Sequence, residues 1–202
     1  MATAGQTFEN PVTGERMVFN KTAHETDGTL LDIEFFVKPS SEKGLAAHFH
    51  PHFAERAEII AGSAHYKLGQ TELPAEAGDE ILLPKDIPHI HPWNIGSDVL
   101  HWRKITQLDK PDSHMLLASA AFFESLYALA QQGKVEKNGL PKNPLQTIVL
   151  LQALQPSAYV AGLPIWIQRP LFGVLAAIGQ ALGYKSSYTA VSTSSTPDRL
   201  SR

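Results

Sequence analysis

The chain has 202 residues, of which 43% are hydrophobic, 18% charged and 8% aromatic, with a formal net charge of -3. This length buries a core without disulfide help, the composition is ordinary for a soluble globular protein, and scattered Lys and Arg exclude the phosphate-neutralising stripe of a nucleic-acid binder. No cysteine is present, which excludes disulfides, thiolate metal sites and cysteine nucleophiles together and leaves a bound metal only imidazole, carboxylate and water.

The opening MATAGQTFENPVTGE has neither a basic start nor an apolar core, so it does not read as a signal peptide and cytoplasmic residence is expected. From residue 28 to about 106 the pattern is that of strands. LLDIEFFV alternates Leu31, Ile33, Phe35 and Val37 on one side, and EIIAGSAHYKL and DEILLP are short β-prone runs. Turn signals at KPSSEKG, GSA, LGQTELPAEAGD, PKDIP and NIGSD separate them, which suggests an antiparallel barrel or sandwich. In the run after Gly62 the alternation places Ala64, Tyr66 and Leu68 inside and His65 and Lys67 outside. The phase of His101 and Trp102 is left open.

After about residue 112 the period becomes helical. Leu116, Ala120, Phe123, Tyr127 and Ala130 recur at three- and four-residue steps, with Ser113 as the expected N-cap and Gly133 as the stop. A second helix follows Asn143 and Pro144, and a third opens on Pro170 and ends near Gly183. The apolar run 158–184 is interrupted by Gln168, Arg169 and Pro170, so no spanning helix of about 20 residues is expected. Trp166 beside Arg169 fits a membrane surface less well than core or dimer contacts fit these helices. The polar, Ser/Thr-rich end reads as a disordered tail. The expected division is therefore a β-barrel over 1–111, a helical extension over 112–185 and a tail over 186–202.

The chemistry concentrates in HFHPHFAE. Side chains two apart on a strand share a face, so His48 and His50 aim at one point, and a break at Pro51 lets Glu55 return to it. His89 and His91, again two apart, follow a Gly-Asp turn. Groups of this kind converging inside a small barrel cost several kcal/mol unless paired, and a metal ion meets that cost directly. His52, in the bend, reads as a solvated loop residue, Glu58 as an outer-face charge, and His24 and His114 as surface side chains.

The spacing resembles the cupin superfamily, small jelly-roll β-barrels whose first motif is His-x-His, four residues, Glu, six residues, Gly; His48, His50, Glu55 and Gly62 match it. The second motif is similar to Gly78, Pro84 and His89. Asp86 stands where that motif has Gly, Asn94 comes one residue late, and Glu42 replaces the Gly expected before His48. The late Asn implies an inserted residue, a bulge near Pro92. The resemblance extends to single-barrel bacterial cupins with an ENPVTGER-like start and C-terminal helices, and covers residues 8 to about 185. It implies a mostly β fold, a cupin-type antiparallel barrel followed by about three helices, with His48, His50, Glu55 and His89 as metal ligands, His89 being favoured over His91.

One divalent transition metal per chain, Fe, Mn, Ni or Zn, suits these ligands. His91 is the candidate catalytic base, with Tyr66 weaker. The leading expectation is a metal-dependent cupin enzyme acting on a small organic molecule, most plausibly a dioxygenase-type oxidoreductase. The alternatives are a metal-dependent isomerase or epimerase, and a non-enzymatic small-ligand binder whose helices dock a partner or membrane. A homodimer is expected, without nucleic acid or membrane. Metal loss is expected below about pH 6, the unperturbed His value. Leu31, Ile33, Phe35, Tyr66 and Trp93 are expected to line the pocket.

Overall fold

A computed structural model describes residues 2–39, 43 and 45–193. The strands, in chain order, are β1 (Thr7–Glu9), β2 (Arg16–Lys21), β3 (Leu30–Val37), β4 (His48–Phe49), β5 (Glu55–Ala61), β6 (Ser63–Leu68), β7 (Thr71–Glu76), β8 (Glu80–Leu83), β9 (His89–Asn94) and β10 (Leu100–Gln107). Helices α1 (Ser113–Gln131), α2 (Pro144–Leu154) and α3 (Ile165–Ala181) follow, with a short strand β11 (Tyr159–Val160) between the last two. Two antiparallel sheets result, a six-stranded one in the order β1-β2-β3-β10-β5-β8 and a five-stranded one in the order β11-β4-β9-β6-β7.

Alternation builds the six-stranded sheet. Leu31, Ile33 and Phe35 of β3 face inward and pair in register with Thr106, Lys104 and Trp102 of β10. Phe35 stacks on Trp102 at 4.6 Å, and Phe123 of α1 closes on Phe35 at 5.5 Å. The register also fixes the phase of β10: Trp102 points inward, whereas His101 and Arg103 face out to Glu34 and Asp32. At the β5–β6 turn Gly62 has φ +88°, and an added Cβ would meet Leu100 Cα and Val99 O at 3.0 Å. Only glycine satisfies both demands.

Several expectations need correction. β1 and β2 precede residue 28; they are short and mixed in polarity, so alternation alone does not mark them. α1 is capped by Asp112, whose carboxylate accepts from Met115 N at 2.9 Å, not by Ser113. α3 begins at Ile165, and Pro170 lies inside it. The early start is anchored by buried Gln168, whose side-chain amide bonds to Val160 N and O and to Leu163 O, tying the helix to β11. β11 itself was not expected; two residues are too few for a period.

The tail expected over 186–202 also starts too early. Residues 186–193 pack against the body: Ala190 is buried, Tyr188 N donates to Ser125 Oγ, Val191 N to Gln131 Oε1, and Thr193 N to Thr7 O. Their polar composition is answered by hydrogen bonds, which hydrophobicity does not report. Residues 194–202 lie outside the described residues. Helix α3 buries Gln168, Phe172, Ala176 and Gly179, and its opposite face exposes Trp166, Leu171, Val174, Ile178 and Leu182. Among the described residues no helix is long and apolar enough to cross a membrane.

Candidate metal centre

Strand β4 delivers His48, and the chain breaks at Pro51 just after His50. Backbone pairing sets His48 opposite His89 of β9. Glu55 opens β5 on the facing sheet, and its inward phase is shared by buried Ala57 and Ile59. The ligand-capable atoms of His48, His50, Glu55, His89 and His91 all lie within 4.8 Å of one another. The five residues singled out in the sequence are thus brought together between the two sheets.

The hydrogen bonds divide the four imidazoles into two kinds. His48 Nδ1 lies 3.1 Å from Ala46 O, His50 Nδ1 2.7 Å from Ser157 O, and His89 Nδ1 3.1 Å from Ile87 O. A carbonyl only accepts, so in each ring Nδ1 carries a proton, and in the neutral ring Nε2 then holds the lone pair. Buried His50 Nε2 and His89 Nε2 have no hydrogen-bond partner. His91 is the other kind: its Nε2 approaches Glu55 Oε2 at 2.8 Å, so there Nε2 donates.

Glu55 is the hub. Its Oε2 is 3.3 Å from His50 Nε2 and 3.9 Å from His89 Nε2, while Oε1 pairs with Lys104 Nζ and accepts from Thr106 Oγ1 at 3.1 Å. Lys104 also donates to Thr106 Oγ1 at 2.8 Å and is only 2% exposed. Burial alone would raise the Glu55 carboxyl, but His50 and Lys104 hold it well below the usual carboxylate range. Burial, reinforced by the neighbouring rings, pushes His48 well down and His89 down to about 3. Burial also lowers His91, against the pull of Glu55. Three rings with Nε2 turned inward and an anionic carboxylate are a donor set that fits a divalent cation, and the orphaned Nε2 atoms of His50 and His89 are what such an ion satisfies.

The second motif is readable in its departures. Asp86 holds φ +63°, a conformation natural for the Gly it replaces and tolerated by Asp. Its N–H donates to His50 O, so this turn supports the first motif. Between β9 and β6 the register slips, Trp93 pairing with His65 but Ile90 with Lys67, which places an extra residue at His91–Pro92. Buried Asn94 then donates to Val37 O and Asp98 O. The position of Glu42 is outside the described residues.

Lys104 and Thr106 were missed by the sequence reading. The signal was available: Leu100, Trp102, Lys104 and Thr106 alternate with His101 and Arg103, and aligning the apolar members inward carries Lys104 in with them. Tyr66 lies among the partly buried residues packed against the core. Leu31 and Ile33, expected to line the pocket, are fully buried in the core instead. The cavity over the cluster, about 370 Å³, is walled by His48, His50, Glu55, His91 and Lys104 at one end and by the helices elsewhere. A smaller space of about 90 Å³, with Phe35, Trp93, Glu15 and Tyr127 in its walls, meets it at Leu45, His91 and Phe123. Burial pushes the Glu15 carboxyl up to about 7.

No family model matches the sequence, nor does any curated protein. Solved structures resemble about half of the chain. A mutant of oxalate decarboxylase from Bacillus subtilis is 20% identical over 52% of this chain and 29% of its own length, with a TM-score of 0.40. A predicted oxalate decarboxylase from Thermotoga maritima is 18% identical over 54% of this chain and 99% of that one, TM-score 0.44. A protein with a double-stranded β-helix domain from Klebsiella pneumoniae is 21% identical over 42% and 72%, TM-score 0.37. Likeness at this level adds nothing to the argument that the residues make for themselves. An antiparallel two-sheet barrel brings His48, His50, Glu55 and His89 to one interior point, the arrangement that the resemblance of the sequence to the cupin motifs implied.

Proposed function

We propose that the protein is a metal-dependent cupin enzyme of dioxygenase type, with His48, His50 and His89 as Nε2 ligands, Glu55 as an Oε2 ligand and His91 as the base. The observation that carries the reading is that this donor cluster lies at one end of a cavity whose walls are otherwise mostly apolar. Bound there, Fe, Mn or Ni would supply Lewis-acid polarisation and open positions for a substrate oxygen and dioxygen.

The chain's own residues set the rest. Lys104 and Thr106 hold Glu55 Oε1, which leaves Oε2 as the single oxygen directed at the histidines. His91 Nε2–H donates to that carboxylate, so the neutral ring takes a substrate proton at Nδ1. Apolar side chains of the helices, among them Phe123, Leu151 and Phe172, line the chamber and limit the water beside the site, which disfavours hydrolysis of reactive species.

The test combines loading with oxygen. Protein reconstituted with Fe, Mn or Ni is offered a panel of small enols and keto acids, and oxygen uptake is followed beside product mass. Oxygen incorporated into product, abolished in His50→Ala while the melting transition persists, supports the reading. Turnover that continues without oxygen and with Zn moves the protein to the isomerase or epimerase class, which the same base and Lewis acid also serve.

A further inference from the structure

The cavity differs sharply between its two ends. At the barrel end are His48, His50, Glu55, His91 and Lys104; towards the helices the walls are chiefly Phe122, Phe123, Ile148, Leu151, Leu154 and Phe172. Few side-chain polar groups lie in that second region: Ser119 Oγ bonds to Ser157 Oγ at 2.6 Å and to Met115 O, Thr147 Oγ1 reaches Pro141 O and Asn143 O at 3.5 Å, and Tyr159 adds one hydroxyl. A ligand carrying many hydroxyls loses water among these walls and finds few replacements. Sugars and other polyols are therefore disfavoured, and a molecule as small as oxalate leaves the greater part of the space unfilled.

Charge completes the picture. Lys104 and Glu55 pair and cancel, so a divalent ion bound beside them makes the barrel end positive. We infer that the site takes an amphiphilic organic anion, with one anionic oxygen group at the His/Glu/Lys end and a hydrocarbon body among the helices. At about 30 Å³ per water-sized group, the 370 Å³ volume accommodates on the order of a dozen non-hydrogen atoms. The head-group half of this inference rests on the metal reading; the body half rests on the cavity walls alone.

Calorimetric titration of the full-length protein tests it, with decanoate as probe below its micelle concentration, and decanol, oxalate and glucose 6-phosphate for comparison. Zn-loaded protein should bind one decanoate per chain with a negative heat-capacity change, the mark of buried apolar surface. Decanol, and decanoate on metal-free protein, should bind more weakly. Leu151→Trp, which fills the body of the cavity, should weaken decanoate by about tenfold or more with metal content unchanged; Ile148→Phe serves if the first variant melts early. Tighter binding of oxalate or glucose 6-phosphate, or indifference of decanoate to both variants, overturns the inference. Stoichiometric metal with no decanoate binding defeats this inference and leaves the metal centre standing. Decanoate binding that responds to Leu151→Trp in a chain that takes no metal defeats the metal reading and keeps the apolar half.

Discussion

At Glu55 the two carboxylate oxygens face different partners, and stability follows from that split. Lys104 is the counter-charge on the Oε1 side, and both groups are nearly sealed from solvent. Lys104→Met therefore leaves a buried carboxylate without its partner, and the metal-free protein should lose about 3 kcal/mol in urea unfolding. Saturating Zn should recover part of the loss, because a cation at Oε2 supplies charge again. An unchanged midpoint without metal would mean that the pair contributes nothing. The histidines set the response to pH. His89 and His48 have folded values depressed below 6.5, so their contribution to stability is complete above 6.5 and is lost as pH falls towards about 3. Unfolded rings take up protons there that the folded rings refuse. The same depression keeps His48 and His89 available to metal below the unperturbed value, so metal content after gel filtration at pH 5 should equal that at pH 8. Release by pH 5 without unfolding would contradict the depressed values.

At the scale of elements, the β5–β6 turn and the β9 bulge decide whether the motif residues meet. Gly62→Ala forces a Cβ against the backbone at Leu100 in a positive-φ conformation, and should cost about 2 kcal/mol in thermal or chemical unfolding. A neutral result would show that β10 yields at that point. The first motif was legible in the sequence because His48, His50 and Glu55 are close in the chain and period two fixes their faces. The bulge was legible from the late Asn94. What escaped depends on distant pairing. The Ser157 carbonyl that orients His50 arrives from 107 residues away, and Lys104 enters the cluster only once the phase of β10 is set against β3. β11, two residues long, has no pattern of its own and exists because β4 offers it an edge.

Across the whole molecule, helix α1 shares the core of the barrel. Leu116, Ala120 and Leu129 of α1 belong to the same buried cluster as Phe8, Met17 and Ile33, and residues 188–193 return to α1 and β1. Ending the chain near residue 110 exposes that surface and removes β11 and the Ser157 contact with His50. Such a truncation should show no sharp thermal transition and weak near-ultraviolet circular dichroism. A melt as cooperative as that of the full chain would make the helices a separate appendage.

The central claim is a cation held between two sheets by three imidazole Nε2 atoms and one carboxylate oxygen. Anomalous scattering from crystals of metal-loaded protein, collected at the absorption edge of the ion found by elemental analysis, tests it most directly. The account predicts one peak per chain within coordinating distance of His48, His50, His89 and Glu55 Oε2. Absence of any peak there after exposure to Fe, Mn, Ni and Zn, or a peak bound only by other residues, would contradict it.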